Sequence, residues 1–153
     1  YYFAHDDNES RVEDYGRLYT WAAVMDGQSG SDAVPSGIQG VCPDGWHVPS
    51  DAEWQRLETT LGMSASDAEN LNWRGTDQGT QLKTGGSSGF EALLGGYRDQ
   101  NGSSYDFGTK GYFWSATDDG SNATIRELWS THSDVRRTGT DKSNACSLRC
   151  VRD

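Results

Sequence analysis

Two hydrophobic periods divide this chain of 153 residues. From residue 50 the apolar positions follow a helix: Trp54, Leu57 and Leu61 fall at i, i+3 and i+7, one stripe. Ser50 and Glu53 stand at the spacing of a capping box, in which each side chain satisfies an orphan amide of the first turn. Gly62 tolerates a positive φ and ends the helix. The stretch Tyr15 to Met25 predicts a second helix with Leu18, Ala22 and Met25 on one face, although Tyr19 and Trp21 fall elsewhere. A short helical piece is expected near residues 65–71. From Gly85 onward the apolar runs shorten and are separated by Gly, Asn, Asp and Ser, the pattern of strands and turns. Candidate strands are residues 92–97, 112–116, 125–130, 134–137 and 146–151. Asn101-Gly102 marks a hairpin, because both residues tolerate φ > 0. In the last strand Cys146, Leu148 and Cys150 share one face. Helices first and an antiparallel sheet later give an α+β order.

Composition narrows the class. The length suits one ordinary domain, with no internal repeat and no linker. Lys and Arg number 13 against 23 Asp and Glu, a formal charge of −10. A nucleic-acid binder needs a basic footprint, so that class is set aside. No apolar run is long enough to span a membrane. No basic segment followed by an apolar one opens the chain, so any export signal is expected to have been removed or to lie upstream. The hydrophobic fraction is only 33%, yet six Trp, seven Tyr and four Phe are spread along the whole length. Disordered chains are poor in aromatics. A compact, loop-rich domain with an aromatic core is expected.

Most candidate chemistry has a plain alternative. Gly85-Gly86-Ser87-Ser88-Gly89 matches a G-x-S-x-G nucleophile pattern, but no helix fits after it, so the match is compositional. His5, His47 and His132 lack zinc-ligand spacing, and His47 reads as packed and hydrogen-bonded. Residues 5–9, and residues 99–102 with Asp106, offer oxygens to a hard cation. The second stretch lacks a full calcium-loop pattern and reads more simply as a solvated hairpin; no cofactor is expected, with calcium left open there. No phosphate loop or dinucleotide fingerprint is present. Cys146-x-x-x-Cys150 resembles a redox or copper pair, but same-face strand positions four apart are too distant to share one ion.

Three cysteines, Cys42, Cys146 and Cys150, leave one over if a disulfide forms. If 146–150 is a strand, four steps at ~3.3 Å separate its ends by roughly 13 Å, beyond the ~4.4–6.8 Å that a disulfide spans. Cys42 is then expected to pair with Cys146 or with Cys150, in an oxidising compartment. The bland alternative is three buried, reduced thiols.

The stretch 117–144 is polar, mixes charges of both signs and carries Trp129, His132, Arg126, Arg136 and Arg137. One reading is a solvated sheet edge. The sharper one is a recognition face of aromatic and Arg anchors among Ser, Thr and Asp. Its candidate contact residues are Asp118, Asp119, Ile125, Arg126, Trp129, Thr131, His132, Asp134, Arg136 and Thr138.

Five segments carry a resemblance: residues 15–23 (YGRLYTWAA), 41–54 (VCPDGWHVPSDAEW), 95–98 (GGYR), 111–117 (GYFWSAT) and 147–153 (SLRCVRD). In this order and spacing they resemble the Fibrobacter succinogenes major paralogous domain family, over nearly the whole chain. The family looks related to the formylglycine-generating-enzyme branch of the C-type lectin fold. The resemblance implies one α+β domain over residues 1–153, with a small twisted antiparallel sheet, flanking helices and long loops. It implies extracellular or cell-surface display within a larger bacterial protein. The family's motif cysteines match Cys42 and Cys150, which implies that pair for the disulfide. Cys146, where the family usually has a ring, is expected to stay free. Variable proteins of diversity-generating retroelements share the fold branch, with hypervariable residues beginning near a W-S motif like Trp114-Ser115. The implied function is a non-catalytic adhesion module for a protein or glycan ligand at a cell or phage surface. The alternatives are a copper oxidase resembling the formylglycine-generating enzymes, and a purely structural domain of a surface or pilus-tip protein.

Overall fold

The computed structural model describes residues 1–153. The first half holds β1 (Tyr2–Phe3), α1 (Val12–Tyr15), β2 (Leu18–Thr20), α2 (Trp21–Met25), β3 (Trp46–His47), α3 (Asp51–Thr60), α4 (Ala65–Glu69), β4 (Asn72–Arg74) and α5 (Gln78–Leu82). The second half is strands: β5 (Tyr97–Arg98), β6 (Ser104–Tyr105), β7 (Lys110–Asp119), β8 (Asn122–Trp129), β9 (Val135–Asp141), β10 (Ala145–Cys146) and β11 (Val151–Arg152). The fold class is α+β, with antiparallel sheets and few helices.

Helix α3 starts as its sequence dictates. Ser50 Oγ accepts from the Glu53 amide and Glu53 reaches back to the Ser50 amide, a complete capping box. Gly62 follows it at φ +98°. The expected helix over residues 15–25 is a correction. Residues 18–20 are strand β2, pairing with β1 and β10; Tyr15 closes α1, and the only other helical residues there are Trp21–Met25. The mixed facing of Tyr19 and Trp21 was the sign of that break. Residues 146–151 are also not one strand: β10 ends at Cys146 and β11 starts at Val151. The hairpin at Asn101-Gly102 forms between β5 and β6, but only Gly102 takes the positive φ. Asp99 Oδ1 accepts the Asn101 and Ser103 amides across that turn.

Three sheets result, in orders β4-β9-β8-β7, β1-β2-β10-β5-β6 and β11-β3. The four-stranded sheet carries a core on each face. On one face, Phe113, Leu128 and Val135 pack with Trp54 of α3 and Leu82 of α5. On the other, Trp114, Ala123 and Ile125 pack with Trp21, Val24 and Met25 of α2, and with Cys146.

The C-terminal end is tied back to the segment that leads into α3. Cys42 and Cys150 form a disulfide and Cys146 is free and buried. Buried His47 bonds Asp153 through Nδ1 (2.6 Å) and Glu53 through Nε2 (2.8 Å). Its burial opposes the charged form, but the two carboxylates outweigh that and raise its pKa. No helix is long and apolar enough to cross a membrane.

Candidate sheet-face site

Side chains alternate between the faces of a strand, and cross-strand partners share a face. Tyr112 stands opposite Glu127, Glu127 opposite Arg136, Arg136 opposite Trp73, and Ile125 opposite Thr138. These residues therefore occupy one face of the four-stranded sheet. Helix α2 covers the Trp114–Ile125 end of that face; the rest is partly open, with Trp73, Tyr112 and Arg136 half-buried and Glu127 buried.

The open part holds a cavity of about 250 Å³, walled by Tyr97, Tyr112, Glu127, Arg136, Thr138 and Asn144. Ile125 and Cys146, both almost fully buried, form its floor. Its polar groups are held by one another. Arg136 Nη1 donates to both Glu127 oxygens at 3.1 and 3.2 Å, and Trp129 Nε1 donates to Glu127 Oε2 at 3.0 Å. Tyr112 donates its hydroxyl to Asp106 at 2.6 Å, and Asp106 also pairs with Lys110. Burial, reinforced by Asp106, raises the pKa of both Tyr97 and Tyr112, so both phenols stay protonated donors. The Cys146 thiol is pushed up by burial and then by Glu127, which leaves it protonated and inert. Gly96 lets the Tyr97 wall approach: it sits at φ +69°, and a Cβ there would lie 2.1 Å from the Tyr105 carbonyl oxygen.

An aromatic corner adjoins this cavity. His132 stacks on Trp73 with ring centroids 4.1 Å apart, and Trp129 meets Trp73 edge-on at 5.0 Å. Lys110 Nζ lies 4.2 Å above the Trp129 ring. Lys83 Nζ fixes the loop beneath by donating to the Trp129 and His132 carbonyls.

The structure divides the sequence-predicted contact residues. Trp129, Arg136 and Thr138 lie on the partly open face, with Ile125 as floor, so Ile125 is not a projecting contact. His132 sits at the aromatic corner, next to Thr131, whose hydroxyl bonds His132 Nδ1 at 3.0 Å. Asp134 shares that β8–β9 loop. Asp118 and Asp119 are exposed at the end of β7, beside the β7–β8 turn at the other end, where Asp118 pairs with Lys142. The seven steps of β8 separate the two ends by roughly 23 Å. Arg126 is a correction: it has no exposure, points to the opposite face and bonds Glu58 and Asp51 under α3. Strand alternation forbids Ile125 and Arg126 from sharing a face. Arg137 likewise turns away, to Asp51.

Sequence reading missed Trp73, Tyr97, Tyr112, Glu127 and Asn144. Glu127 had a signal, since it lies two residues from Trp129 and from Ile125. The others come from separate strands and loops, and only the register brings them to this face.

The acidic stretches are internally committed. Asp99 holds its turn, Asp106 holds Lys110 and Tyr112, Asp6 pairs with Arg11, Asp7 with Arg98 and Glu9 with Arg17. Ser88, the residue after the motif serine Ser87 of the G-x-S-x-G match, donates to the Gln81 carbonyl.

Fold and site together define an α+β domain of curled antiparallel sheets, closed by one disulfide and carrying a cavity on one sheet face. The chain belongs to the Fibrobacter succinogenes major domain family, whose family model matches residues 1–152. No curated protein and no solved structure matches it.

Proposed function

We propose that this domain is a non-catalytic, extracellular binding module that takes a protein or glycan ligand on the partly open half of its four-stranded sheet. One observation carries the reading. Aromatic and ionic side chains from four strands surround a 250 Å³ cavity on a partly open sheet face, already tied to one another and needing little ordering on contact. Trp129 supplies apolar surface, and Arg136 supplies a forked donor backed by Glu127. Cys42 and Cys150 are joined and Cys146 is buried alone, an arrangement that favours a scaffold over a cysteine-pair oxidase. The disulfide also favours an oxidising, extracellular setting.

In this reading the domain is a C-type lectin-like scaffold within a larger surface protein, and its sheet face is diversified by a retroelement. Sequencing the gene beside a near-copy repeat tests the last point. Differences confined to adenines of the template support it, and scattered differences end it. Binding itself is tested by replacing Trp129 with Phe and Arg136 with Lys together, which removes the indole and the guanidinium fork but leaves buried Glu127 a cationic partner. Ligand capture on glycan and protein arrays is expected to fall while melting changes little. Equal loss of both would make these residues structural.

A further inference from the structure

A second concave surface lies away from the sheet-face cavity and shares no lining residue with it. It is a groove of about 490 Å³ between α3, residues 88–90 and the C-terminal residues 149–152. The chain has ten arginines. Seven are within ion-pair distance of a carboxylate. The other three, Arg56, Arg149 and Arg152, all line this groove.

That distribution is informative because carboxylates are abundant here, 23 against 13 basic groups. The one carboxylate in the groove, Glu53, is already engaged. It accepts from the Ser36 amide (3.1 Å), the Ser50 amide (3.0 Å) and His47 Nε2 (2.8 Å). The Arg149 guanidinium lies 4.6 Å over the Phe90 ring, which spreads it along the groove wall. Between the cations the lining is apolar, with Trp46 40% exposed and Val151 38% exposed. Strand β11 has a strand neighbour on one side only, β3, so its other edge can take backbone hydrogen bonds from an extended segment.

We propose that this groove docks an extended acidic peptide segment whose carboxylates alternate with apolar side chains. Carboxylates meet Arg56, Arg149 and Arg152 as forked ion pairs. Apolar side chains fill the space beside Trp46, Leu57 and Phe90. An anionic polysaccharide satisfies the charges but has no side chains for the apolar lining and no amides for the β11 edge, so a peptide fits better.

The test uses fluorescently labelled decapeptides alternating Asp or Glu with Leu or Phe, titrated by anisotropy against the intact domain. Saturable binding is expected, weakening as salt is raised. The double variant Arg56→Gln/Arg152→Gln keeps the Arg149–Phe90 contact, so its melting temperature should match the wild type. Its affinity should fall about tenfold. Arg17→Gln, which removes a surface charge elsewhere, should leave affinity within about twofold. Absence of saturable binding, undiminished binding by the double variant, or capture of oligogalacturonate in place of the peptides overturns the proposal.

Discussion

Arg126 Nε lies 2.6 Å from Glu58 Oε1, and neither side chain is exposed to solvent. The pair joins the face of the sheet opposite the cavity to α3. Asp51 accepts from Arg126 and Arg137, and Arg74 donates to Glu58. Two carboxylates and three guanidiniums thus form one network between helix and strands. It fixes the sheet from below and takes no part in the cavity on the other face.

Removing one partner of a buried ion pair strands the other charge in a poorly solvated interior. Arg126→Met and Glu58→Gln are each expected to lower stability by about 3–5 kcal/mol. Chemical denaturation measures the loss. A change below about 1 kcal/mol would mean that water reaches the network.

Asp51 gives this network a pH dependence. Burial alone would raise its pKa, but Arg137 and Arg126 outweigh burial and hold it below the usual 3.8. A carboxyl lowered in the folded state contributes stability above its unfolded value, and that contribution is lost as pH falls through the folded value. Melting temperature measured from about pH 5 to pH 2 should therefore drop. The drop should be shallower in Asp51→Asn, although that variant starts lower. An equally steep drop would assign the acid sensitivity to other carboxylates.

The Cys42–Cys150 bridge closes a separation of 108 residues. Replacing both with Ser should cost about 2–5 kcal/mol. Thiol titration of the native, unreduced protein should find no fast-reacting group, because Cys146 is buried and held protonated. After denaturation without reductant it should find a single thiol. Three thiols would refute the bridge.

Thr138 is a half-buried residue of β9 that faces the cavity opposite the core residue Ile125. Thr138→Trp fills the space above that floor. Stability should fall by no more than about 1 kcal/mol, the low end for adding volume beside a core. Ligand capture should be blocked. Destabilisation by several times that amount would show that the cavity wall is part of the core.

Local signals carried much of the fold. The capping box at Ser50 and Glu53, the stripe of Trp54 and Leu57, and the hairpin at Gly102 each depend on neighbours in sequence, and each is present in the structure. The break at Leu18–Thr20 was harder. Its strand exists because β1 and β10 pair with it from residues far away in the chain, and tertiary pairing overrode a weak helical pattern. Within the site, alternation from Trp129 pointed to Glu127 and excluded Arg126. That logic was available but needs the strand to be fixed first. Trp73 and Tyr97 reach the face only through pairing across the sheets, which no local spacing encodes. The three groove arginines are also scattered in sequence, and their lack of partners is visible only in three dimensions.

Ligand binding on the sheet face is read out on a glycan and surface-protein array probed in parallel with the wild type and Thr138→Trp. Hits seen with the wild type and absent with the filled variant, both proteins being folded at the assay temperature, are predicted. Hits of equal strength on both would contradict the account and move binding elsewhere on the domain.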